Sequence, residues 1–281
     1  MRKILPLIAI ISTLGVVYAQ TKDPLYQSKG DQKRTYTFPG TTEQIPYHLF
    51  VPSKWTPTTR LPLIVILHGN GVSADTPFER NEGIMGKLAE QRGYIVVAPT
   101  GYRTTSLYNN PYEMVAAVRP AGAGGGQGKG KGGGGGKNAP LTDEDRMRGE
   151  QDVMNVADMI AKEYNADPDR TYLVGNSVGG GATWYLGQKY LDRWAAIVPT
   201  AGPIKDDAFP YDRLKNMPIL VIHGDADTTM SFDGTKAMVE HAKEHKLDVT
   251  FIPVKDGDHT GAWAQVAPQI FDFLDQHKRK K

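Results

Sequence analysis

Short apolar runs, set apart by longer stretches of helical period, dominate the chain from about residue 61 onward. The runs are 61–67 (LPLIVIL), 94–98 (YIVVA), 171–174 (TYLV), 195–198 (AAIV), 219–222 (ILVI) and 249–252 (VTFI). They are rich in β-branched residues and unbroken by polar ones, as strands buried on both faces of a parallel sheet are. Helical periodicity between them predicts helices over 84–92, 144–164, 178–190, 235–245 and 264–277. This alternation predicts an α/β fold with one mostly parallel, doubly wound sheet. Ahead of it, 34–38 (RTYTF) and 47–51 (YHLFV) alternate polar and apolar positions around Pro39-Gly40. That pattern predicts an antiparallel hairpin on the sheet edge.

Two segments do not belong to this pattern. Arg2 and Lys3, an apolar run over 4–17, and Val17-Tyr18-Ala19 read as a secretory leader, with cleavage expected after Ala19. The run is short for a membrane-spanning helix and holds Pro6 and Gly15. The expected organisation is therefore a signal peptide over 1–19 and one catalytic domain over 20–281, secreted or periplasmic. Within that domain, 121–137 (AGAGGGQGKGKGGGGGK) has nothing to bury. It reads as a disordered, solvated insert between the strand at 94–98 and the helix at 144–164. In doubly wound sheets that connection leaves the carboxyl edge, where ligands bind.

Charge and cysteine content narrow the function classes. The formal net charge is +2, and two of the positive charges lie in the leader, which carries no acid. The mature chain is then near neutral, which gives no footprint for nucleic acid or for stable membrane association. The chain has no cysteine. Disulfides, thiolate metal sites and a cysteine nucleophile are excluded, and the hydrophobic core alone must hold an exported protein together.

The chemistry is concentrated at the ends of the predicted strands. Gly175-Asn-Ser177-Val-Gly179 directly follows the strand at 171–174 and opens a helix. In that context Gly-x-Ser-x-Gly is a nucleophile elbow, which presents the Ser177 hydroxyl above the sheet edge at the positive end of a helix. A serine needs a base. Of seven histidines, His241, His245 and His277 fall on polar helix faces, and His48 lies in the edge hairpin. His68 and His223 end strands and suit support of loop geometry. His259, in the Gly-bearing loop after the last strand, follows in the order serine, acid, histidine. The acid comes from His223-Gly-Asp225-Ala-Asp227, where Asp227 is the choice and Asp225 the alternative that braces the turn. Asp258, next to the histidine, reads as surface. An oxyanion needs two donors. The Val178 amide is one, and the loop His68-Gly69-Asn70-Gly71 offers the Asn70 amide, with Gly71 next. Tyr102 and Trp263 are candidates for lining the substrate cleft, while Trp184 reads as core.

With these residues placed, the chain resembles α/β-hydrolases of the extracellular esterase branch that includes feruloyl esterases and polyhydroxybutyrate depolymerases, together with related peptidases. The resemblance runs from about Tyr47 to the last helix and is carried by Leu67-His68-Gly69, the 167–180 segment around Ser177, His223-Gly-Asp-Ala-Asp227 and Asp258-His259-Thr260. It implies an α/β-hydrolase fold and a secreted serine esterase that forms an acyl-enzyme without metal or cofactor on a small or polymeric carboxylic ester, aryl and polyester substrates included. The lack of cysteine and the polyglycine insert depart from that branch. A peptidase of the same fold and a non-catalytic exported binding protein are the alternatives.

Overall fold

The computed structural model describes residues 24–118, 141–205 and 209–279. The expected leader over 1–19 and the insert over 121–137 lie outside the described residues. One eight-stranded sheet runs β1 (Gly30–Thr37), β2 (Gln44–Val51), β4 (Ile95–Pro99), β3 (Leu63–Leu67), β5 (Thr171–Asn176), β6 (Ala196–Thr200), β7 (Ile219–Gly224) and β8 (Val249–Val254) from edge to edge. β1 and β2 pair antiparallel, as do β2 and β4, and every pairing from β4 to β8 is parallel. The doubly wound sheet and its antiparallel hairpin are as the hydrophobic pattern predicts.

Seven helices complete the described framework: α1 (Thr76–Glu79), α2 (Ile84–Arg92), α3 (Asp143–Glu163), α4 (Val178–Lys189), α5 (Phe232–Glu244), α6 (Ala262–Gln265) and α7 (Ala267–Asp275). They divide between the two faces of the sheet. Leu63, Val65 and Leu67 of β3 join Val153, Ile160, Leu186 and Val239 of α3, α4 and α5. The intervening Ile64 and Ile66 join Met85, Leu88, Phe271 and Leu274 of α2 and α7. Alternate side chains of a strand point to opposite faces, so an unbroken apolar run feeds two cores at once. Each fully buried aliphatic side chain contributes roughly 1.5–3 kcal/mol.

Local chemistry explains where the elements depart from the periodicity. α5 begins at Phe232, three residues ahead of the predicted start, because the Ser231 hydroxyl accepts the Gly234 amide at 2.9 Å as an N-cap. The predicted helix over 264–277 is two helices. The ring of Pro268 has no N–H and would clash with the carbonyl four residues back, so the chain breaks at Val266. β8 is half-exposed rather than buried on both faces, since it forms the sheet edge. Arg279, beyond α7, pairs with Asp169 at 3.2 Å.

At the other edge, Arg34 of β1 forms a buried two-pronged pair with Glu163 (3.0 and 3.2 Å), and the Trp55 indole donates to the Tyr164 carbonyl at 2.8 Å. The hairpin is thereby clamped to the end of α3. At the carboxyl edge, Met114 and Ala116 bridge to Ile204 and Met230. No helix among the described residues is long and apolar enough to cross a membrane.

Candidate active site

β5 delivers Ser177 at its carboxyl end with φ 60° and ψ −121°, a conformation that non-glycine residues rarely adopt. The turn closes because two neighbours lack side chains. A Cβ on Gly175 would collide with the Gly179 carbonyl, and one on Gly179 with the Leu67 carbonyl. α4 starts at Val178, so the Val178 amide lies in the first turn, where no intrahelical acceptor exists.

Three side chains far apart in sequence meet here. Ser177 Oγ lies 2.8 Å from His259 Nε2, and His259 Nδ1 lies 2.7 Å from Asp227 Oδ2. Asp227 Oδ1 accepts the amides of Thr229 (2.7 Å) and Met230 (3.0 Å). The buried Asp227 oxygen also faces a second imidazole, His223 Nε2 at 2.9 Å. Burial alone would push the Asp227 carboxyl up, but the hydrogen bonds from His223, His259 and the Met230 amide outweigh it and hold the carboxyl far below the usual range. Asp225 turns away and accepts the Asp256 amide at 2.7 Å. Asp258 accepts the amides of Thr260 and Gly261 on an exposed loop.

The loop after β3 lies against the serine, since a Cβ on Gly69 would stand 3.3 Å from Ser177 Cβ. The Gly71 amide is engaged, donating to the Thr104 carbonyl at 3.0 Å. The Asn70 amide donates to none of the described residues. Burial lowers the His68 pKa and so favours the neutral ring, whose nitrogens face the carbonyls of Gly69 (2.8 Å) and Thr100 (3.0 Å). The Tyr108 hydroxyl donates to the His68 carbonyl at 3.1 Å. The Thr100 and Tyr108 ties run from the β4–α3 connection, the one expected to leave the carboxyl edge of the sheet. Asp152 of α3 anchors that connection by accepting the Gly101 and Tyr102 amides at 2.7 and 3.0 Å.

Ser177 and His259 open into a cavity of about 300 Å³ whose walls include Asn70, Val72, Pro77, Arg80 and Trp263. Trp263 stands where a cleft-lining residue was expected. Tyr102 does not. Its backbone at φ 63° turns the ring onto Phe38 (4.9 Å), and its hydroxyl donates to Glu43 (2.8 Å) and accepts from Arg148 (2.5 Å). The pair of amides held by Asp152 fixes this turn and directs the side chain into a small cluster with Phe38 and Ile45. Among the described residues, no three His, Asp or Glu side chains stand together as metal ligands.

The profile of the Dienelactone hydrolase family matches residues 49–266, from β2 to the break between α6 and α7. The chain belongs to that family. This dienelactone hydrolase family member is an α/β-hydrolase, the superfamily its motifs resemble. It is 24% identical over 197 residues to the bifunctional acetylxylan esterase/xylanase XynS20E of Neocallimastix patriciarum, covering 70% of this chain and 23% of that protein. The chain thus spans about a quarter of the length of that relative. Among solved structures, a thermostable esterase superposes with a TM-score of 0.64 at 22% identity, over 89% of this chain and 63% of that one. A ferulic acid esterase superposes with a TM-score of 0.64 at 16% identity, over 88% of this chain and 97% of the other. At these identities the superpositions speak for the fold.

Proposed function

We propose that this family member is an exported serine esterase that hydrolyses carboxylic esters through an acyl-enzyme, with Ser177 as nucleophile, His259 as base and Asp227 as the acid behind it. The observation that carries the reading is the unbroken relay Ser177 Oγ–His259 Nε2 (2.8 Å) and His259 Nδ1–Asp227 Oδ2 (2.7 Å) at a strained elbow. His259 takes the hydroxyl proton as Ser177 attacks the carbonyl carbon, and Asp227 stabilises the imidazolium that results. The oxyanion is received by the Val178 and Asn70 amides. His259 then gives its proton to the departing alcohol. A water molecule, deprotonated by His259, attacks the acyl carbon and releases the acid and the free serine.

A cavity of about 300 Å³ with Trp263, Pro77 and Val72 in its walls favours a short or compact aromatic acyl group. The relative from Neocallimastix patriciarum is an acetylxylan esterase/xylanase, and an acetyl group agrees with that size. The residues over 1–19 supply the export signal in this reading, and 20–281 form the catalytic domain.

Ser177→Ala should lower turnover of p-nitrophenyl acetate on the order of 10⁴-fold or more, with the circular dichroism spectrum and melting temperature retained. A fluorophosphonate should label Ser177 in the unaltered protein, as peptide mass spectrometry would locate. Retained turnover in the alanine variant would end the proposal. Cleavage of aminoacyl nitroanilides without ester hydrolysis would move the reading to a peptidase, and absence of labelling to a binding protein.

A further inference from the structure

His223 is a buried imidazole with a partner on each nitrogen. Nε2 lies 2.9 Å from Asp227 Oδ2 and Nδ1 lies 2.6 Å from the hydroxyl of Thr235, a buried residue of α5. Neither His223 nor Asp227 exposes any side-chain surface. The partners fix the tautomer. A carboxylate oxygen only accepts, so Nε2 carries the proton, and Nδ1 accepts the Thr235 hydroxyl. The opposite tautomer would set two lone pairs face to face.

The arrangement divides the Asp227 carboxylate into two unlike ends. Oδ1 is held by the Thr229 and Met230 amides, and Oδ2 accepts from both imidazoles, His223 Nε2 and His259 Nδ1. Without His223, the water-excluded Oδ2 would depend on His259 alone, the group that must change its protonation state in every turnover. An under-satisfied buried carboxylate is costly and prone to rotate toward another donor. We infer that His223 is a positioning residue of the relay, whose Nε2–H, oriented by Thr235, fixes Asp227 Oδ2 and moderates the pull of that oxygen on His259. This inference rests on the relay reading above.

The consequence has a sign. Removing the donor leaves more negative charge on Oδ2, which strengthens the imidazolium form of His259. The acid limb of the kcat/KM profile, which reports loss of that proton, should then move to higher pH. Of the other charged groups near the relay, Asp225 and Asp258 accept backbone amides, and Arg80 borders the same cavity as His259.

His223→Met and His223→Gln form a matched pair, since both fill the imidazole space and only glutamine places an N–H where Nε2 stood. On p-nitrophenyl acetate, H223M is expected to lose about tenfold in kcat with KM within about twofold, and to shift the acid limb upward. H223Q is expected to recover most of both. If H223M does not fold, Thr235→Val serves, because it removes the hydroxyl that orients His223 and should lower kcat severalfold in the same way. A folded H223M with the kcat and acid limb of the unaltered enzyme, or losses identical in H223M and H223Q, would overturn the inference. A T235V variant equal to the unaltered enzyme would do so in the fallback arm. Failure of the relay reading shows differently, because the unaltered protein would then neither turn over the ester nor take the fluorophosphonate label.

Discussion

Asp225 and Asp227 stand two positions apart on one turn, yet their carboxylates serve different neighbours. Asp225 holds the loop after β8 through the Asp256 amide, and Asp227 faces two histidines. Asp227→Asn should therefore lower kcat on the order of 10⁴-fold by removing the charge that orients and stabilises His259. Asp225→Asn should stay within a few-fold, because an amide oxygen still accepts the Asp256 N–H. Steady-state kinetics on one ester compares the two, and equal losses would remove the distinction. At this scale the sequence was informative wherever function depends on local constraint. Ser177 was legible because an elbow demands glycine on either side of it within five residues. Tyr102 was not, since its direction depends on Asp152 fifty positions later and on Glu43 in the β1–β2 turn.

Among the elements, the β5–α4 junction is the least tolerant of change. Gly175 has no room for even one methyl group: the obstacles are the main chain of Gly179 and the Thr183 hydroxyl that is bonded to its carbonyl. Gly175→Ala should cost about 3 kcal/mol or more and take activity with it, since overpacking against backbone can be relieved only by moving the elbow. A urea titration alongside an esterase assay reads both effects, and an alanine variant of full activity would contradict the contact. The apolar runs foretold every parallel strand because buried strands have little compositional freedom. They did not distinguish the edge strand β8, which resembles its neighbours in sequence but has no partner beyond it. Nor did periodicity separate α6 from α7, where a single proline overrides an otherwise continuous pattern.

Across the whole molecule, α3 links the clamped hairpin to the β4–α3 connection through one buried acid. Asp152 accepts the Tyr36 hydroxyl at 2.6 Å as well as the two amides of the β4–α3 connection. Burial pushes its carboxyl up to about 6, with these hydrogen bonds opposing the rise. The usual value is about 3.9. The folded state binds this proton more tightly than the unfolded chain, so the group's contribution weakens as pH rises from about 4 to 6 and reaches its full penalty, about 3 kcal/mol, above that. Lowering the pH from 7 to 5 should then raise the unfolding free energy by about 1 kcal/mol more in the unaltered protein than in Asp152→Asn. Parallel urea curves for the two proteins would refute the assignment. The elbow itself is secured differently, by main chain resting on main chain where Gly175 meets Gly179 and Gly179 meets Leu67. Laboratory evolution could accordingly rewrite much of the apolar interior on either side of the sheet without moving Ser177. Variants gained that way would differ in how hot they can be run long before they differ in what they cleave.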